Sequence, residues 1–228
     1  MTDTSRNEAL LVADRITRRF GGLVANQDVA LTLERGKLHA LLGPNGAGKS
    51  TCINMLSGDL PPSDGRILYQ GRDITGLSAA ERSRVGIGRS YQRTNIFPKF
   101  TVLENVRLAA QSRRQQPWRI FSQAMKLQWS IDKAMACIAE AGLAGNEGRL
   151  AGVMSHGAQR QLEIAMVLAT DAQVLLLDEP LAGMGPHESQ RMVELIGKLR
   201  TDHAIMLIEH DMDAVFALTE QSSSLAAL

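Results

Sequence analysis

A chain of 228 residues is long for one domain, and a hydrophobic content of 44% is enough for a substantial core. The formal net charge of +1 gives no general reason to expect nucleic acid as a partner. The polar N-terminus lacks a signal-peptide core, and no stretch reaches the roughly 18 apolar residues that span a bilayer. Cys52 and Cys137 match no metal or redox spacing and are predicted to be ordinary thiols of a reducing compartment. We therefore expect a cytosolic chain, unless a partner holds it at a membrane.

The predicted elements begin with β structure. Residues 10–20 and 29–33 have the pattern of strands and predict a small antiparallel region at the N-terminus. Residues 37–42 form an apolar run typical of a buried strand, and residues 50–57 continue as a helix. Between this strand and this helix lies a glycine-rich segment.

That segment fits the phosphate-binding loop in every specified position. It consists of Gly43, Pro44, Asn45, Gly46, Ala47, Gly48, Lys49, Ser50 and Thr51. Its glycines allow backbone N–H groups to turn toward phosphate oxygens, Lys49 adds a positive charge, and Ser50 offers a hydroxyl to magnesium. The following helix N-terminus also favours an anion. The segment predicts a site for a nucleoside triphosphate and Mg²⁺.

A helical insertion follows the first half of the chain. Residues 61–65 predict a turn, 66–70 a short strand and 78–84 a short helix. From Leu103 to about Ala151 the spacing becomes helical, with breaks near Pro117 and Gly142 and a local excess of basic residues over 107–133. The stretch as a whole is placed at about residues 96–159. This stretch is too short to bury much core alone, so it is predicted to be an inserted subdomain.

The α/β pattern then resumes with a strand at 172–177, an amphipathic helix at 187–199 and a strand at 204–208. Strands that alternate with helices around a phosphate loop predict an α/β fold of the P-loop NTPase (RecA-like) type, with a parallel sheet. We expect one domain over 1–228, with a core of residues 8–95 and 160–228.

Two carboxylates stand where a P-loop ATPase needs them. Asp178 and Glu179 directly follow four apolar residues of a predicted buried strand. The first is expected to hold the magnesium shell, and the second to orient the attacking water or accept its proton.

Three further elements resemble motifs of ABC transporter ATPases. The segment Met154-Ser155-His156-Gly157 is similar to the family signature, Gln92 lies where the family has its Q-loop glutamine, and His210 matches the switch histidine. All stand in the family's order, so the resemblance covers nearly the entire chain. It implies ATP and Mg²⁺ as cofactors and catalytic roles for Glu179, His210 and Gln92. The further roles that it implies are metal binding by Ser50, Gln92 and Asp178, adenine stacking by Phe20, and contact in trans with a second cassette's ATP by Ser155, His156 and Gly157.

Several segments resemble the ATP-binding subunits of branched-chain amino acid importers. They are Ser155 to Gly157, Arg160 to Ala165, Glu179 to Pro186, and Ile208 to Met212. Urea and short-chain amide importers share much of this pattern and stay open as alternatives. Gly185 stands where the general family has a D-loop aspartate, which puts a cross-dimer role for that position in doubt.

The resemblance implies a pair of ATPase subunits, homomeric or heteromeric, beneath membrane permease subunits, with an extracytoplasmic solute-binding protein as an indirect partner. The chain is then expected at the cytoplasmic side of the cell membrane as a peripheral subunit. We expect the loop from Gln92 to Phe100 and the helical insertion to dock the permease, with Arg93 and Phe97 as coupling residues. The basic insertion around Trp118 is interpreted as a solvated helix near the membrane, with contact to anionic lipid as the alternative.

Residues 219–228 differ from the family pattern, which continues with short strands and a helix. A truncated or altered C-terminus is predicted to expose a sheet edge and to lower stability.

Other classes fit the motifs less well. A soluble, non-transport ABC ATPase usually has two cassettes or a long coiled coil, and a kinase or GTPase gives no role to Ser155 or His210. A non-hydrolysing regulatory subunit conflicts with the presence of Glu179.

Overall fold

The computed structural model describes residues 9–44, 46–92, 94–112, 128–209, 218 and 225–227. Two long strands, β1 (Ala9–Phe20) and β2 (Leu23–Glu34), form an antiparallel hairpin. The strands β4 (Asp64–Tyr69) and β5 (Arg72–Asp73) complete a four-stranded sheet in the order β2-β1-β4-β5. β2 begins six residues before the predicted strand, because its first half has three apolar residues followed by three polar ones and so shows no apolar alternation; its pairing with the end of β1 defines it as a strand.

The second sheet is parallel, as predicted. It contains β3 (Leu38–Leu42), β6 (Ile87–Ser90), β7 (Val174–Asp178), β8 (Ala204–Ile208) and β9 (Leu225–Ala227), in the order β6-β7-β8-β3-β9. β6 was not predicted, because this strand has four residues and includes a glycine and an arginine.

The C-terminal tail contributes to this sheet. β9 pairs in parallel with β3, so the edge of β3 is paired along Ala40–Leu42. We expected the tail to lack further strands and to leave an open edge. The structure differs because the short apolar run at residues 225–227 pairs with β3.

Six helices lie among the described residues. They are α1 (Lys49–Ser57), α2 (Ala79–Val85), α3 (Val102–Ser112), α4 (Gln128–Glu140), α5 (His156–Ala169) and α6 (Pro186–Leu199). A 3-10 turn at Ala151–Val153 precedes α5. None of these helices is long and apolar enough to cross a membrane.

Alternating side chains of the parallel sheet divide the core into two parts. On β7, Leu175 and Leu177 belong to a cluster with α3, α4, α5 and α6, whereas Val174 and Leu176 belong to a cluster with the antiparallel sheet and α1. This period of two is what a strand imposes on its two faces. The parallel sheet is therefore covered on both sides, as a nearly continuous apolar run requires.

The helical insertion packs onto the core through α5. Val106 of α3 and Ile138 of α4 are fully buried and share one apolar cluster with Leu175 of the sheet. Gly142, in the left-handed region at φ +75°, follows α4 at the predicted break. Residues 113–127, including Pro117 and Trp118, lie outside the described residues.

Both cysteines are buried and unpaired with each other. Burial raises the pKa of Cys52 to about 12 and that of Cys137 to about 11, so both thiols are protonated at neutral pH.

A buried arginine ties α2 to the end of α1. The guanidinium of Arg82 donates hydrogen bonds to the carbonyls of Met55 (2.6 Å), Leu56 (2.9 Å) and Thr75 (2.9 Å). Two of these acceptors lie in the last turn of α1, where carbonyls lack intrahelical donors. Arg82 therefore anchors the C-terminal end of the helix that begins at Lys49.

We expect Arg82→Met to lower the free energy of unfolding by about 2–4 kcal/mol, because the apolar stem is kept while several buried carbonyls lose their donor. Urea unfolding followed by circular dichroism measures the change. Arg84→Met on the exposed side of the same helix is the control, with an expected change of about 0.5 kcal/mol or less. Equal destabilisation of the two variants would contradict the anchoring role.

Candidate functional site

The phosphate-binding loop lies between β3 and α1. Gly46 and Gly48 both have φ +86°, in the left-handed region that favours glycine. The buried Lys49 donates from Nζ to the carbonyl oxygens of Gly43 (2.5 Å) and Pro44 (2.9 Å). The loop's own carbonyls thus hold the ammonium group over it. Asn45 lies outside the described residues.

A cavity of about 290 Å³ opens beside this loop. Its lining includes Gly46, Gly48, Lys49, Ser50 and Thr51 from the loop and the first turn of α1, Glu179 and Ile208 from the strand ends, and Leu23, Val24 and Ala25 from β2. The first N–H groups of α1 have no intrahelical acceptor, so this end of the cavity suits an anion.

Phe20 is not among the cavity's lining residues. Its ring is 45% exposed, and the Arg18 guanidinium lies 4.7 Å from the ring centroid. Leu23 and Val24, which are 67% and 43% exposed, stand at the cavity instead. These two side chains were not predicted from the sequence, because only the hairpin brings residues after the Gly21-Gly22 turn beside the loop.

The two carboxylates lie at the end of β7 in different surroundings. Asp178 is buried, and its Oδ2 accepts a hydrogen bond of 3.0 Å from Arg89 Nη2. Arg89 Nη1 also contacts Asp59 at 2.8 Å, so one guanidinium joins α1's C-terminal end, β6 and β7. Arg89 was not singled out in the sequence, because its partners are distant along the chain.

Glu179 has a backbone conformation that is rare for a side chain other than glycine. Its φ is +48°, and its N–H donates to the Ile208 carbonyl at 2.9 Å. Such a conformation costs on the order of 1–3 kcal/mol and occurs most often at functional sites. Here it accompanies a carboxylate that lines the cavity.

Gln92 meets Glu179 directly. Its amide Nε2 donates to Glu179 Oε2 at 3.1 Å, although the two residues are 87 positions apart. The structure thus brings two of the three predicted catalytic residues together at the phosphate loop. His210, the third, lies outside the described residues.

Ser155, His156 and Gly157 form the N-terminus of α5 and do not line this cavity. The Ser155 hydroxyl donates to Glu188 Oε1 of α6 at 2.8 Å, and the His156 ring lies 3.1 Å from the Ala182 carbonyl. A side chain added at Gly157 would collide with the Glu188 carboxylate. These residues are therefore spatially separate from the loop of their own chain.

A family model described as ABC transporter matches residues 26–182. This match covers more than half of the chain, from β2 through the two carboxylates, and the chain therefore belongs to the ABC transporter ATP-binding family. Members of this family are ATPases, and this chain is an ATPase of that class. The parallel sheet with a phosphate loop and an antiparallel β region agrees with that assignment.

Similar proteins include ATP-binding proteins of amino acid transport and of sugar import. The chain is 36% identical over 181 residues to the high-affinity branched-chain amino acid transport ATP-binding protein LivG of Salmonella typhimurium, with 76% of this chain and 70% of that protein covered. It is 37% identical over 174 residues to a putative ribose/galactose/methyl galactoside import ATP-binding protein of Burkholderia cenocepacia, with 76% and 32% covered.

Solved ATP-binding cassettes of ABC transporters share the fold. A nucleotide-free cassette is 27% identical with a TM-score of 0.82, and the comparison covers 96% of this chain and 87% of that one. A cassette in its ADP conformation has the same identity and coverage and a TM-score of 0.80.

Proposed function

We propose that this chain is the ATP-hydrolysing subunit of an importer that takes up branched-chain amino acids across the cytoplasmic membrane. The observation that carries the ATP site is the contact between Gln92 and Glu179 at the cavity of the phosphate loop. In this proposal, the residues from Gly43 to Thr51 bind the phosphates, Glu179 acts on the attacking water, and Gln92 orients Glu179. His210 keeps its predicted role as a switch. Adenine stacking by Phe20 stays a prediction beside the alternative that Leu23 and Val24 contact the base.

Magnesium fits the oxygen atoms at this site. No group of three acidic, histidine or cysteine side chains that could hold a metal occurs among the described residues. Mg²⁺ commonly uses one or two protein oxygens together with substrate phosphates. Ser50 lines the cavity, and Asp178 directly precedes Glu179, which lines it too. We propose that Ser50, Asp178 and Gln92 hold Mg²⁺ there together with ATP.

The separation of the signature from the phosphate loop supports a pair of cassettes. Ser155, His156 and Gly157 lie at a helix N-terminus, which suits a phosphate, yet they do not line the cavity of their own chain. We propose that each chain's signature meets the ATP held by a second ATPase subunit. In that arrangement, the bond from Ser155 to Glu188 opens when the serine hydroxyl turns to phosphate.

The surface proposed for docking a permease contains two aromatic rings. Phe97 and Phe100 are 47% and 41% exposed and stack with ring centroids 5.4 Å apart. The fully buried Asn105 holds the Phe97 backbone, because it accepts from the N–H at 2.8 Å and donates to the carbonyl at 3.1 Å. An exposed aromatic pair on a fixed backbone is well suited to a protein contact. Arg93, the other proposed coupling residue, lies outside the described residues.

We expect Phe97→Ala to reduce solute uptake about tenfold or more while basal ATP hydrolysis changes less than twofold, because aromatic anchors dominate interface energies. Uptake by vesicles containing the assembled transporter and hydrolysis by the isolated ATPase are measured in parallel. Glu194→Ala, at an exposed residue of α6 outside the helical insertion, is the control. Unchanged uptake in Phe97→Ala would exclude this docking assignment.

The solute is proposed from similarity, because the match to LivG spans 70% of that protein, whereas the match to the sugar import protein spans 32%. Native purification from membranes, followed by solute-stimulated ATP hydrolysis, tests the proposal. Leucine, isoleucine and valine should stimulate turnover, whereas ribose, galactose and urea should not. Recovery of no membrane permease would reject transport, and stimulation by a sugar or urea alone would reassign the solute.

A further inference from the structure

A buried ion pair on α5 lies outside the nucleotide cavity and has no role in the proposal above. Arg160 and Glu163 are only 3% and 4% exposed, and Arg160 Nη1 lies 3.0 Å from Glu163 Oε2. Burying two charges is unfavourable unless further hydrogen bonds satisfy them. The remaining polar atoms of this pair therefore indicate what it does.

Apart from Arg160 Nε, which is buried without a hydrogen-bond partner among the described residues, these atoms bind the backbone of the loop that contains Gln92. The two terminal nitrogens of Arg160 donate to the carbonyl oxygens of Tyr91 and Gln92. Glu163 Oε1 accepts from the N–H of Tyr91 (3.1 Å) and from that of Asn95 (3.4 Å). Four charge-assisted hydrogen bonds thus hold the loop backbone at Tyr91, Gln92 and Asn95. A guanidinium is suited to this task because its two terminal nitrogens can donate to two carbonyl oxygens at once.

The side chain of Gln92 links these backbone contacts to Glu179. The Gln92 backbone is bound to α5, and the Gln92 amide donates to Glu179 Oε2. α5 begins at the signature residues, about one turn before Arg160. A single helix thus joins Ser155, His156 and Gly157 to the pair of Gln92 and Glu179.

The surroundings of Glu163 act on its pKa in opposite directions. Burial raises the pKa of Glu163, while the Tyr91 N–H and the Arg160 guanidinium act in the opposite direction by stabilising its charged form. The loop contacts therefore oppose part of the rise in the pKa of Glu163 that burial causes.

We propose that Arg160 and Glu163 are positioning residues that hold Gln92 against Glu179 and make the signature end of α5 move together with the ATP site of the same chain. When the signature contacts a partner's ATP and α5 is displaced, Arg160 and Glu163 move the Gln92 loop with the helix and so change the position of Gln92 relative to Glu179. This inference requires ATP hydrolysis but does not depend on which solute is transported.

The test uses the full chain and the variant Arg160→Lys. Lysine keeps the charge and the ion pair with Glu163, but it lacks the planar guanidinium that donates to two carbonyl oxygens at once. We expect kcat at saturating Mg–ATP to fall about 10- to 100-fold, because a small displacement of a catalytic group has an effect of that size. Binding of a fluorescent ATP analogue in EDTA should stay within twofold of wild type, since the phosphate loop is untouched. Adding Mg²⁺ should no longer raise the affinity of the Arg160→Lys variant for the analogue.

A second variant and two controls keep the outcome interpretable. The double variant R160Q/E163Q removes both charges and so leaves no buried charge without its partner. If Arg160→Lys fails to fold, this double variant should show the same result, a lower kcat with unchanged analogue binding in EDTA. Arg66→Lys and Glu194→Gln, both at exposed positions, should behave as wild type. Wild-type kcat with an unchanged Mg²⁺ effect would overturn the proposal, as would a parallel loss of binding in EDTA. Failure of every solute to stimulate turnover would reject the transport proposal without affecting this one.

Discussion

Replacing Glu179 by glutamine is expected to lower ATP turnover by about 10²- to 10⁴-fold while ATP still binds. The amide keeps the size of the side chain and retains an oxygen that can accept the hydrogen bond from Gln92. It cannot accept a proton from the attacking water, so the loss falls on the chemical step. The left-handed backbone at this position is unchanged by the substitution.

Single-turnover hydrolysis and equilibrium binding of a fluorescent ATP analogue separate the two effects. Glu194→Gln removes a carboxylate from the exposed face of α6 and is the matched control. Full turnover by Glu179→Gln would reject its assignment as the group that acts on water. Loss of binding together with turnover would assign the carboxylate to holding the nucleotide.

The second large effect is expected from Gly48→Ala, with Gly46→Ala as its matched partner. Both glycines have φ +86°, so alanine meets the same backbone penalty of about 1–2 kcal/mol at either position. A Cβ at Gly48 would also lie 2.5 Å from the Ala25 carbonyl oxygen and 2.7 Å from Asn26 Nδ2, whereas a Cβ at Gly46 would have no neighbour within 4 Å.

We expect Gly48→Ala to lower the free energy of unfolding by about 2–5 kcal/mol, and Gly46→Ala by about 1–2 kcal/mol. The difference isolates the collision with β2, because the backbone term is common to both variants. ATP affinity should fall about 100-fold more in Gly48→Ala, since the shifted backbone no longer aims its N–H groups at phosphate. Urea unfolding and titration with ATP measure the two quantities. Equal effects in the two variants would show that β2 does not constrain the loop.

Local patterns were sufficient for much of the fold. The buried strands β7 and β8 have nearly continuous apolar runs, and α6 has helical spacing, so both types of element were predicted within about two residues. The start of β2, the strand β6 and the pairing of β9 were not predicted. These segments are short or lack an apolar alternation, and only hydrogen bonds to neighbouring strands define them.

The sequence by itself determined the chemistry at the phosphate loop and at Asp178 and Glu179, because each depends on adjacent residues with a fixed backbone requirement. Only the tertiary structure decided which groups meet there. The contact of Gln92 with Glu179, the pairing of Arg89 with Asp178 and the hold of Arg160 on the Gln92 carbonyl all join residues that are more than 60 positions apart. The physical reason is that such contacts arise from the order of parallel strands and from the packing of α5 beside β6, which no local pattern encodes.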